Sequence, residues 1–198
     1  MKLLFVDCCV SQRGADSRTK RLAEAFLEAW QAARPDAEVE TVGQETLLAL
    51  RPFTPDALNE RDALAAAGCF DAPVFRLARQ FREAEEIVVA APFWDLSFPA
   101  ALRLYIEYIS ANGLCYHYDN SGCHGDCRAR RLVYLTSGGD VEREDSVGVL
   151  YWRQLAAMFG ISRFDYVFAA GLDALPDQAP ALLDAAQELA RRLAEETV

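Results

Sequence analysis

The sequence predicts an α/β fold in which a five-stranded parallel sheet lies between two layers of helices. Three observations carry this. Apolar runs such as Leu3-Leu4-Phe5-Val6, Ile87-Val88-Val89-Ala90-Ala91 and Leu132-Val133-Tyr134-Leu135 show no polar alternation, so each suits a strand covered on both faces. Helical patterns separate the runs, and parallel neighbours need such crossovers. With 198 residues, the chain has material for one well-buried core and is short for two, so residues 1–198 are expected to form a single domain.

The elements follow in order. Leu3 to Val6 is the opening strand. From Ser17 to Ala33, Leu22, Phe26, Leu27 and Trp30 recur at helical spacing until Pro35 ends the pattern. Glu38 to Val42 is a modest second strand. Pro55 to Gly68 reads as a polar, Ala-rich helix and Val74 to Glu85 as another. Ile87 to Ala91 is the clearest buried strand, stopped by Pro92. The next helix sets Leu102, Tyr105, Ile106 and Ile109 on one face. Residues 114–130 read as a short hairpin or lid, because Tyr116, His117 and Tyr118 precede the turn residues Asn120-Ser121-Gly122. Leu132 to Leu135 is the fourth core strand, Val147 to Phe159 a helix closing at Gly160, Phe164 to Ala169 the fifth strand, and Pro180 to Glu196 the terminal helix. Five strands in this length favour the flavodoxin-like order 2-1-3-4-5 over a six-stranded dinucleotide fold, giving a three-layer α/β/α sandwich.

Charge narrows the function. A formal net charge of −10 repels polyanions, which argues against nucleic acid as a partner. The longest apolar stretch, Ile87 to Trp94, falls far short of the roughly 20 residues that span a bilayer. Asp7 interrupts the apolar start and no small-residue cleavage site follows, so the expectation is a cytoplasmic protein without membrane attachment. Reduced thiols are then the better reading of the six cysteines.

In an open parallel sheet, ligands bind beyond the carboxyl ends of the strands. Three informative loops fall there. The first, Cys8 to Ser17, leads into a helix that starts Ser17-Arg18-Thr19-Lys20-Arg21. Hydroxyls and free N–H groups at a helix start form an anion site. Cations in a first turn are disfavoured by about 0.3–1 kcal/mol each, a penalty that a bound phosphate would offset. The plainer alternative is a Ser cap followed by solvated basic side chains. No G-x-G-x-x-G is present, so a single phosphate fits better than a pyrophosphate. The second loop, Pro92-Phe93-Trp94-Asp95-Leu96-Ser97-Phe98-Pro99, puts aromatic residues where the chain should be exposed. They either cap the core or wall a slot for a flat ring, and the slot is favoured. The third, Thr136-Ser137-Gly138-Gly139-Asp140, allows close backbone approach to a ligand, although taken alone it is an ordinary strand-to-helix turn.

With these segments in order over nearly the whole chain, the sequence resembles the FMN-dependent NAD(P)H:quinone oxidoreductases and azoreductases of the flavodoxin-like superfamily. The resemblance rests on Ser17 to Leu22, on Ala90 to Ala100 with Leu102 and Tyr105, and on Thr136 to Gly139. It implies that Cys9, Ser17, Arg18 and Thr19 hold the FMN phosphate. Pro92, Phe93, Trp94, Asp95 and Leu96 would run along the isoalloxazine, and Thr136, Ser137, Gly138 and Gly139 would meet its pyrimidine side. It further implies a homodimer with active sites at the subunit interface, where Tyr118 and Met158 or Phe159 wall the pocket. NADH or NADPH would be the reductant, and a quinone, azo or nitro compound the small-molecule acceptor, in ping-pong two-electron transfer. The flavin would carry the chemistry, so no side chain is a required base, with Asp95 and Tyr118 as candidate pocket residues. The chain departs from the family pattern at Asp95, where Asn is common, at Cys9, where Ser is common, and at Gly138, where some members have Arg.

Cys115, His117, Cys123, His124 and Cys127 form a second cluster. Zinc binding, a reactive or disulfide-forming pair, and plain lid residues are all open, and the last is favoured because Cys115-x-His117 is too close for a typical zinc hairpin. A low-molecular-weight phosphatase loop, Cys-x5-Arg, is absent: four residues separate Cys8 from Arg13 and three separate Cys9 from it. The remaining rival is a non-enzymatic flavodoxin-type electron carrier, or a Cys/His redox or metal sensor, whose acidic surface would suit a basic partner. An aromatic lid argues against the carrier, which gains by leaving its flavin edge open.

Overall fold

A computed structural model describes residues 1–11, 13–141 and 146–196. Five strands make the parallel sheet: β1 (Lys2–Asp7), β2 (Glu38–Val42), β3 (Glu86–Ala90), β6 (Arg131–Ser137) and β7 (Arg163–Ala169). Their order, β2-β1-β3-β6-β7, is the 2-1-3-4-5 arrangement once the separate hairpin β4 (Tyr116–Asp119) and β5 (Gly122–Gly125) is left out of the count. The pairings are in register from Leu3↔Glu86 through Glu86↔Arg131 to Arg131↔Arg163, so the strands begin level at one edge.

Strand alternation sorts the core into two layers. Leu3, Phe5, Val88, Val133 and Leu135 face α1 (Arg18–Ala33) and α7 (Ala179–Glu195), meeting Leu22, Phe26, Trp30, Leu183 and Ala190. Leu4, Val6, Ile87, Val89, Leu132 and Tyr134 face the other side. There they meet α2 (Gln44–Ala49), α4 (Arg76–Glu83), α5 (Ala100–Ile109) and α6 (Val147–Met158) through Leu47, Phe81, Tyr105 and Trp152. The helix α3 (Pro55–Ala66) buries no residue fully. The sequence reading missed α2, whose six residues are too few to display a period. It also started β3 and β6 one residue late. Glu86 and Arg131 are the first residues of these strands and are fully buried.

That burial is partly compensated, with Glu86 Oε1 and Arg131 Nη2 left without a hydrogen-bond partner among the described residues. Trp30 Nε1–H donates to Glu86 Oε2 at 2.7 Å, Arg131 Nη1 lies 3.5 Å from Glu86 Oε1, and Arg131 Nε–H donates to Asp165 Oδ2 at 2.6 Å. Desolvation still wins at Glu86 and raises its carboxyl above the usual 4.5, against the Trp30 hydrogen bond and the Arg131 charge.

Residues 114–130 do form a hairpin, but at the amino edge of the sheet. Arg128 and Arg130 N–H groups donate to the carbonyls of Arg82 and Glu85, just before β3, and Cys127 N–H donates to Phe159 O, just before β7. No helix among the described residues is long and apolar enough to cross a membrane.

Candidate functional site

The carboxyl ends of β1, β3, β6 and β7 surround a cleft of about 140 Å³. Its walls are Ser11, Arg13, Ser17, Arg18 and Thr19 from the first loop and helix start, Pro92, Phe93 and Trp94 from the second loop, and Ser137, Gly138 and Gly139 from the third. Asp173, in the loop after β7, completes them.

Local chemistry builds each wall. Ser17 caps α1 with its hydroxyl accepting from Lys20 N–H at 3.4 Å, while its own carbonyl accepts from Arg21 N–H. The first turn of α1 contains no acidic residue. Thr19 is buried, and its hydroxyl lies 2.7 Å from that of Ser137, tying α1 to the end of β6. Phe93 N–H donates to Ser137 O at 2.9 Å, and Gly138 N–H to Ala169 O at 3.0 Å, so the sheet ladder extends into the loops.

Gly138 sits against Phe168 and Phe93. A Cβ there would lie 2.9 Å from the Phe168 ring and 3.3 Å from Phe93 Cβ, so any side chain at this position, Arg included, requires Phe168 to move. Trp94 and Ser97 close a tight turn, with Ser97 N–H donating to Trp94 O at 2.8 Å. Asp95 (φ 50°) and Leu96 (φ 65°) between them both lie in the left-handed region, the pattern of a type I′ turn normally made with Asn and Gly.

A second, more apolar cavity of about 170 Å³ adjoins through Phe93 and is lined also by Leu96, Asp140, Val141, Ser146, Val147 and Phe168. The two cavities together form a polar compartment at the α1 start and an apolar one beside it.

Several sequence-selected residues take other positions. Cys9 is buried in the core, its thiol 4.0 Å from Ala90 O and off the cleft lining. Burial and Asp7 raise that thiol well above its usual range, opposed by the Ser17 hydroxyl. The neighbouring Cys8 is pushed up to about 12 by burial. Thr136 is buried beneath the third loop, and Asp95 is exposed; neither lines the cleft. Among the basic residues of the helix start, Arg18 faces the cleft, whereas Arg21 turns to Gln187 (3.1 Å) and Asp184 (3.7 Å) on α7. Ser11 and Asp173 line the cleft and were not singled out from the sequence, and Arg13, weighed there only as part of a phosphatase loop, lines it too.

Tyr118, Met158 and Phe159 do not wall this chain's own cleft. Tyr118 is 64% exposed on the hairpin, and Phe159 is fully buried beneath it, both at the opposite edge. The cysteine cluster is divided as well. Cys115 is buried with its thiol donating to Ala78 O at 3.4 Å, Cys127 donates to Cys115 O at 3.6 Å, and Cys123 is exposed. His117 pairs with Asp126 at 2.8 Å and His124 with Asp119 at 2.9 Å. No group of three or more His, Cys, Asp or Glu among the described residues is arranged to hold a metal ion.

Sheet order defines a flavodoxin-like protein, and the cleft lies at the carboxyl edge, where such sheets bind ligands. Residues 1–193 match the Flavodoxin_2 family, described as having a flavodoxin-like fold, and the chain belongs to it. Among its relatives, the FMN-dependent NADH:quinone oxidoreductase 2 of Clostridium acetobutylicum is 31% identical over 202 residues, with 98% of each chain covered. The FMN-dependent NADH:quinone oxidoreductase of Clostridium beijerinckii is 28% identical over 201 residues, again with 98% of each covered. The crystal structure of an azoreductase from Bacillus anthracis superposes with a TM-score of 0.85 at 26% identity, covering 100% of both chains.

Proposed function

We propose that this chain is an FMN-dependent NADH:quinone oxidoreductase that also accepts related azo and nitro compounds. One observation carries the reading: Thr19, Trp94 and Gly138, 75 and 44 residues apart along the chain, line a single cleft at the start of α1. The names of the relatives above support the choice of cofactor and nicotinamide.

The residues present suit FMN. The N–H groups at the start of α1, the Ser17 and Ser11 hydroxyls, and the Arg13 and Arg18 guanidinium groups offer donors for a phosphate monoester. Phe93, Trp94 and Leu96 offer an apolar wall to a flat ring, with Gly138 and Gly139 leaving backbone free to approach it. When bound, FMN supplies the redox chemistry, taking two electrons from NADH and passing two to the acceptor. The protein's share is to fix the phosphate, shape the ring's seat and exclude water from it.

The working form is a homodimer. Its support is the family resemblance, which puts Tyr118 at the pocket of a second copy; Tyr118 is 64% exposed on a hairpin away from its own cleft, as that role requires. The chain is read as one cytoplasmic domain from its sequence. A second reading is favoured by the same geometry: a lone chain leaves its cleft uncovered by the hairpin, as an electron carrier would.

The test is spectroscopic and kinetic. Protein reconstituted with FMN and desalted is expected to keep oxidised flavin bands and to oxidise NADH continuously with a quinone, giving parallel double-reciprocal plots. Bands without turnover would select the carrier. Absence of bands after reconstitution would remove both.

A further inference from the structure

The loop joining β7 to α7, residues 170–178, carries none of the signals that marked the other three, yet it is built into the cleft. Its N–H groups cap the carbonyls of the third loop: Gly171 to Asp140 (2.6 Å), Leu172 to Gly138 (3.2 Å), and both Asp173 (3.0 Å) and Ala174 (2.8 Å) to Gly139. Asp173 is therefore seated directly on Gly139, so closely that a Cβ on Gly139 would overlap its carboxylate. From that seat Asp173 Oδ1 accepts from Arg18 Nη1 at 2.7 Å.

We propose that Asp173 is a positioning residue for phosphate binding, holding the Arg18 guanidinium across the cleft at the start of α1. The inference rests on the FMN reading above and adds a residue to it. Arg18 is a cation in the first turn of a helix, where the positive end of the macrodipole repels it, and no acid in that turn compensates. Left alone, a long flexible side chain so placed would turn to solvent. Asp173 supplies the missing carboxylate from 155 residues away. It engages one nitrogen of the guanidinium, whose remaining donors stay free for a phosphate monoester. The opposing effect is repulsion between Asp173 and that phosphate. Arg18 would stand between the two, whereas the Asp173 side chain is 71% exposed and its longer-range field is screened, so holding Arg18 is the larger effect.

The experiment compares FMN with riboflavin, which lacks the phosphate. Dissociation constants are measured by flavin-fluorescence titration for the wild type, Asp173→Asn, Asp173→Glu, Arg18→Ala and the double variant Arg18→Ala/Asp173→Asn. The Asp173→Asn change is expected to weaken FMN binding about three- to fivefold, as for a partly exposed ion pair, and to leave riboflavin binding unchanged. Asp173→Glu recovers most of the loss, and Asp173→Asn has no effect once Arg18 is Ala. Tighter or unchanged FMN binding in Asp173→Asn overturns the proposal. So does equal weakening for riboflavin, which would mean that Asp173 acts only by seating the third loop. If the wild type takes up neither flavin, the FMN reading itself fails and carries this one with it.

Discussion

Gly125 ends β5 against the turn between α6 and β7, and replacing it with Ala tests how the hairpin is held. A Cβ at this position would overlap the carbonyl of Phe159 and the amide of Gly160. Both are backbone groups, and Gly160 is itself fixed in the left-handed region at φ 78°, so neither can yield cheaply. Relief comes from lifting the hairpin. That breaks the Cys127 N–H to Phe159 O hydrogen bond (3.2 Å), worth about 1 kcal/mol net. It also separates Tyr116 from Phe159, whose ring centroids lie 6.4 Å apart, for roughly another 0.5–1.5 kcal/mol. The total, about 1.5–2.5 kcal/mol, lies within the range of ordinary overpacking costs. In a chain of this size it corresponds to a fall in Tm of roughly 3–10 °C if the hairpin and core unfold together. Hydrogen exchange covers the other case, with protection lost across residues 116–127 while Tm holds. At dilutions where chains are single, FMN affinity should not change, because a chain's own cleft lies at the far edge of its sheet. Wild-type Tm together with wild-type protection in the hairpin would refute the packing argument.

Three further outcomes are expected. Thr19→Val strands the Ser137 hydroxyl where it is buried, and should lower unfolding free energy by about 1–2 kcal/mol in urea titrations and weaken FMN binding. Glu86→Gln should change the pH profile of stability. The folded-state pKa of Glu86 is raised, so its contribution is greatest below the usual 4.5 and is lost as pH rises through the folded value; the wild type should therefore lose stability relative to the variant as pH climbs above 4.5 in denaturation series. Leu96→Gly removes a left-handed strain worth about 1 kcal/mol from a side chain that is 72% exposed, so stability should hold or rise by up to about 1 kcal/mol, while KM for the quinone increases as the apolar wall is lost.

The sheet and its loops were legible because each signal is local. Uninterrupted, β-branched runs such as Ile87 to Ala90, stopped by Pro92, suit strands covered on both faces, and Ser17-Arg18-Thr19 announces a helix start with misplaced cations. Contacts between distant segments were not legible. Nothing around Asp173 marks it until Arg18 is seen beside it, and Glu86 reads as a strand flank until Trp30 and Arg131 close on it. Cys9 differs for another reason: it was assigned by analogy to a hydroxyl, whereas its thiol packs in the core layer of Leu3 and Phe5, past the end of β1. The hairpin's location was deducible. The helix α5 starts after the carboxyl end of β3 and returns the chain to the amino edge, where β6 must begin, so whatever lies between them belongs there.

The distance between hairpin and cleft has a consequence for how substitutions combine. The seven residues of β6 separate them, which is about 23 Å of extended chain. At such range, free-energy changes in one monomer should add to within about 0.5 kcal/mol. A double-mutant cycle between Gly125 and Thr19, with FMN affinity as its readout, should thus close near zero at dilutions where chains are single. A coupling that grows with protein concentration would be the signature of one chain's hairpin reaching into another's cleft.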